Sequence, residues 1–106
     1  MPKYLIKASY TAEGVKGVLK DGGTKRRQAA EAAVKSTGGT LEAFYFAFGD
    51  ADALVIVDAP DNASIAAASM AIGASGLVSC TTVVLLTPEE IDQAVKKGAT
   101  YTPPGR

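Results

Sequence analysis

Residues Thr40–Ala59, TLEAFYFAFGDADALVIVDA, decide the fold. Two runs of β-branched and aromatic residues flank Gly49-Asp50, a pair that tolerates the positive φ of a two-residue hairpin turn. The stretch therefore reads as a β-hairpin, with strands Thr40–Phe48 and Ala53–Ala59. A turn at Gly49-Asp50 sets Phe48 opposite Ala51, Ala47 opposite Asp52, Tyr45 opposite Leu54 and Ala43 opposite Ile56. One face then holds Leu41, Ala43, Tyr45, Ala47, Leu54 and Ile56; the other holds Phe44, Phe46, Phe48, Ala53, Val55 and Val57. Both faces are apolar. An antiparallel sheet with one wet face alternates apolar and polar residues, so this hairpin requires cover on both sides.

Outward from the hairpin, Tyr4–Tyr10 reads as a first strand and Glu13–Lys20 as a short helix. Gly22-Gly23 interrupts that helix, and Thr24 is placed to cap a second one reaching about Thr37. After the hairpin, Asp61 or Asn62 caps a helix through about Ile72, and Leu77–Leu86 forms a fourth strand. Thr87-Pro88-Glu89-Glu90 opens a last helix, with a cap, a proline and first-turn acids in the favoured places. The order β-α-β-β-α-β is ferredoxin-like, an α+β sandwich with an extra C-terminal helix. In that sandwich helices cover one face of the sheet only. The second apolar face is most simply covered by an identical sheet, which implies a homodimer or higher homo-oligomer paired sheet to sheet. Residues 1–98 form a single domain on this reading, and 99–106 an extended tail.

Composition narrows the chemistry. The 106 residues are 47% hydrophobic and carry eleven basic and eleven acidic side chains, for a net charge of zero. Neither nucleic acid nor a membrane surface is an expected partner of so balanced a chain, and no apolar run reaches the length of a membrane span. The one cysteine, Cys80, cannot form an intrachain disulfide, which fits a cytoplasmic protein. Histidine is absent, so imidazole-activated nucleophiles and most zinc sites are not expected, and no metal or cofactor is assigned. Cys80, inside an apolar strand, reads as a small hydrophobe rather than a nucleophile.

Two groups of residues are candidates for binding. Asp52 and Tyr45 fall on one face of the hairpin, one diagonal step apart, and Tyr10 ends the first strand. Together they would orient a small polar ligand. The structural alternative is that Asp52 accepts hydrogen bonds from backbone amides of its turn and that Tyr10 packs in a core or interface. Lys25, Arg26 and Arg27 form the only basic run, in the first turn of a helix where cations oppose the macrodipole. They would hold an anion with the free helix amides, or else pair with acids, Arg27 with Glu31 for example.

The segments KYLIKASYTAEGVKG, LKDGGTKRRQAA, GGTLEAFYFAFGDAD, VDAPD, LLTPEEIDQA and YTPPG together resemble the GYD family, small bacterial proteins named for a Gly-Tyr-Asp motif. The resemblance spans nearly the whole chain. It implies the dimeric α+β barrel superfamily, whose ferredoxin-like subunits pair sheet to sheet. At the motif this chain reads Gly49-Asp50-Ala51-Asp52: Gly49 and Asp52 match, and Ala51 stands where the tyrosine is expected. No activity of the family follows from the motif. Two readings of function therefore stand. One is a non-catalytic small-molecule-binding or assembly module; the other is a cofactor-independent barrel monooxygenase or isomerase acting on an aromatic or polyketide-like substrate.

Overall fold

The computed structural model describes all 106 residues. Eight elements follow one another: β1 (Lys3–Tyr10), α1 (Ala12–Asp21), α2 (Gly23–Ser36), β2 (Thr40–Phe46), β3 (Ala53–Asp58), α3 (Asn62–Gly73), β4 (Val78–Leu85) and α4 (Pro88–Lys97). The strands form one antiparallel sheet in the order β2-β3-β1-β4. Its helices and open sheet give an α+β, ferredoxin-like fold, as the element order requires.

Period-two patterning decides which face is covered. In β1 and β3, Tyr4, Ile6 and Ala8 alternate with Lys3, Leu5 and Lys7, and Ala53, Val55 and Val57 alternate with Leu54, Ile56 and Asp58; the first set of each is buried and the second half-buried. The buried face lies beneath α2 and α3, whose Val34, Ile65 and Ala68 complete the interior. A core cluster forms from Tyr4, Ile6, Val34, Val55, Val57, Ala59 and Ile65, with Leu41, Phe44 and Cys80 at its margin. The buried Tyr4 ring keeps its hydroxyl satisfied by donating to Asn62 Oδ1. On the other face Leu5, Leu54, Ile56, Val83 and Tyr45 lie together with no helix above them, and Tyr45 is 70% exposed.

Capping chemistry sets several boundaries. Thr11 caps α1 by accepting from the Gly14 amide, and Asp61 caps α3 by accepting from the Ser64 amide at 2.8 Å. The Ser64 hydroxyl and amide hold the Asp61 carboxyl below its ordinary 3.8. Thr87 and Glu90 form a reciprocal capping box ahead of α4. No helix is long and apolar enough to cross a membrane.

Three sequence expectations need correction. The hairpin has no two-residue turn: β2 ends at Phe46, β3 begins at Ala53, and neither Gly49 nor Asp50 has positive φ. A wider loop closes instead through the Ala47 amide donating to Asp52 O at 2.9 Å. Secondly, a bulge at Glu42 shifts the register, so Leu41 lies opposite Val57 and packs on the core, away from the Tyr45 face. The bulge aims Glu42 at Lys3, whose ammonium also meets Asp58 across the sheet, at 2.6 and 3.0 Å. Hydrogen bonds to Glu42 and then Asp58 raise the Lys3 pKa above its usual 10.5. Finally, α2 begins two residues early. Gly22, at φ 81°, occupies the cap without a side-chain bond, and Thr24 lies inside the helix.

Candidate functional site

Where the C-terminal ends of β1 and β2 meet the helices, a cleft of about 440 Å³ opens to solvent. Tyr10 ends β1, Val15 and Val18 come from α1, Gly23 begins α2, and Phe46, Ala47, Phe48 and Asp52 come from the hairpin end. Helix periodicity puts Val15 and Val18 one turn apart on one side of α1, so they form an apolar wall facing the aromatic one. Gly23 leaves space: a Cβ would stand 2.9 Å from the Phe46 ring, so a side chain there would push the ring from its place in the wall. Phe44 and Phe46 meet edge to face, ring centroids 5.2 Å apart, which fixes the aromatic wall. Phe48, fully exposed, stands at the rim.

Asp52 provides the cleft's carboxylate. Its Oδ2 accepts from the Tyr10 amide at 2.8 Å, its own amide donates to Ala8 O at 2.8 Å, and its carbonyl accepts from Ala47. The side chain thus ties the hairpin end to the end of β1, across the sheet rather than within its own turn. Asp52→Ala leaves a part-buried amide unpaired beside an apolar cleft, and we expect it to lower stability by about 1–3 kcal/mol, read by thermal melting. A melt unchanged by the substitution would show that water replaces the carboxylate at no cost.

Of the residues singled out from sequence, Tyr10 and Asp52 share this cleft; Tyr45 does not line it and sits on the open sheet face. Sequence reasoning passed over the apolar walls, Val15, Val18, Phe46 and Phe48. Their signal was present, since Phe46 and Phe48 point from the strand end adjacent to Asp52, but it is indistinguishable from core patterning until α1 is placed. Lys25, Arg26 and Arg27 do not converge on one point. Arg26 is half-buried and lines a cavity of about 70 Å³ between sheet and helices, together with Tyr10 and Cys80. Arg27 lies beside Gly23, Thr24, Phe44 and Phe46, and Lys25 is exposed. None of the three makes an ion pair within the chain; the ion pairs present are Lys3 with Glu42 and Asp58, and Lys16 with Glu13. Cys80 is half-buried and free, and burial raises its thiol pKa above the usual 9.0, which disfavours the reactive thiolate. Nowhere do three or more cysteine or acidic side chains gather as ligands for an ion.

The model of the family described as GYD domain matches residues 4–95, from β1 into α4. The chain belongs to the GYD-domain family. The dimeric α+β barrel superfamily is consistent with the observed fold. No curated protein matches the chain. Within this GYD domain the variant motif Gly49-Asp50-Ala51-Asp52 forms the hairpin loop. Its two ends differ in what they do: Asp52 is anchored as described, and Gly49 has open space around it. Ala51, at the expected tyrosine position, is buried.

Proposed function

We propose that this GYD domain is a non-catalytic small-molecule-binding module that works as a sheet-paired homodimer. The cleft carries the binding reading. Its volume of about 440 Å³ lies within the range of small-ligand sites, and its walls are apolar and aromatic around a single carboxylate. Such a surface suits a flat, largely apolar molecule that presents a hydrogen-bond donor to Asp52. Binding is favoured over turnover because the cleft's polar side chains are a phenol and a carboxylate already engaged by a backbone amide. Neither is backed by a second group that would move a proton to or from it. The dimer reading rests on the open face, where Leu5, Leu54, Ile56 and Val83 form an apolar patch flanked by Lys3 and Lys7 with no helix above it.

Native mass spectrometry of the protein purified from its own host tests the binding reading. We expect a retained small molecule that is released on denaturation, and its loss in Phe48→Ala, a change at a fully exposed rim position that leaves the core intact. A bare chain mass, together with no cleft resonances shifted by an aromatic-amine fragment set in NMR, contradicts it.

A further inference from the structure

From Leu86 to Arg106 every residue is exposed, and α4 buries nothing. Yet α4 is written as a well-formed helix: capping box at Thr87–Glu90, proline in its first turn, Lys96 and Lys97 in its last, and Gly98 closing it. Ten residues are too few for a helix to persist in water on such signals alone, so its stability needs a packing partner. Ile91 and Val95, one turn apart, form a stripe suited to that partner, continued by Leu86 before it and Tyr101 after it.

The whole chain shows the same deficit. It exposes 7222 Å², against about 5,500 Å² for a compact monomer of its mass. Its radius of gyration is 16.8 Å, where a compact chain of this length has about 13 Å. The excess, about 1,700 Å² per chain, exceeds the ~800 Å² that each partner contributes to a standard interface and fits an obligate one. Only Leu86 and Thr87 join β4 to α4, and the arm stands clear of the body that carries it: none of residues 86–106 is buried, and the chain extends 56 Å along its longest axis.

We infer that the C-terminal arm, residues 86–106, is exchanged: the Ile91–Val95 stripe of each chain packs on the body of a second copy. This rests on the homodimer proposed above and adds that the dimer is clasped reciprocally. Lysine cross-linking of a subunit-exchanged mixture of ¹⁴N- and ¹⁵N-labelled full chains tests it, since Lys96 and Lys97 lie on the arm and Lys3, Lys7, Lys16 and Lys35 on the body. Arm-to-body links should be of mixed label in the proportion that links between chains require. Same-label arm-to-body links alongside mixed body-to-body links overturn the exchange and leave the dimer standing, whereas a monomeric wild-type chain overturns the dimer itself. In parallel, Ile91→Asp with Val95→Asp should weaken dimerisation roughly tenfold or more without unfolding the body. An unchanged dissociation constant overturns the inference even where cross-links are too few to read.

Discussion

Replacing Val55 by Asp will leave the chain unfolded at room temperature. Val55 is 5% exposed, sits between Ile6 of β1 and Phe44 of β2 in the ladder, and belongs to the core cluster beneath α2 and α3. The cluster is apolar except for the Tyr4 hydroxyl, which is already bonded to Asn62, and the one cation near Val55 is Arg26, half-buried on the wall of the small cavity that both residues line. Burying a carboxylate there costs several kcal/mol in desolvation even with a cation nearby, and losing the isopropyl contacts adds about 1–2 kcal/mol. The sum rivals the whole stability of a small domain, about 5–15 kcal/mol. Circular dichroism should show no cooperative melt. A variant that still melts cooperatively within a few degrees of the parent would mean that the helical layer does not seal this face.

Ile56, the next residue, will behave differently. Its side chain points to the opposite face, beside Leu5 and Ala43, and is only half-buried in the single chain. The carboxylate of Ile56→Asp remains wet while the chain is alone and becomes desolvated, twice per dimer, once two open faces meet. We expect dimer affinity to fall by about 3–5 kcal/mol or more, at least a hundredfold, so that the variant sediments as a single folded chain. If Ile56→Asp associates as tightly as the parent, the open face is not where copies meet. Neighbouring residues with opposite failures, one in folding and one in association, separate the two layers of the structure.

Much of this architecture is legible in the sequence because local and global signals agree. The Thr87-Pro88-Glu89-Glu90 cap, the Asp61 cap and the alternation in β1 and β3 each place an element to within a residue or two. The two-faced apolar hairpin is the sequence feature on which the proposed sheet-to-sheet dimer rests. What escapes the sequence are the features set by tertiary packing. Glu42 makes the bulge with no glycine to announce it, and its reward, the Lys3 ammonium, lies 39 residues away. Gly49-Asp50 carries the residues of a tight turn, but the Asp52 side chain binds the Tyr10 amide and the loop opens to bring it there. Tyr45 keeps the expected partner, Leu54, and the Asp52 carboxylate leaves its company by turning to the Tyr10 amide. The cleft itself depends on α1 approaching the hairpin end. Gly14 seats α1 against the residue that precedes β4, buried where a Cβ would collide with the Leu77 carbonyl, and nothing local to Gly14 reveals that neighbour.

The exposed arm and the uncovered sheet face both support the proposal that this GYD domain works as an assembly of its own copies. Sedimentation equilibrium of the full-length wild-type chain at micromolar concentration tests it most directly. The account predicts twice the 10.8 kDa chain mass, or a higher even multiple if dimers associate further. A single species at 10.8 kDa, folded and stable across that range, would contradict it.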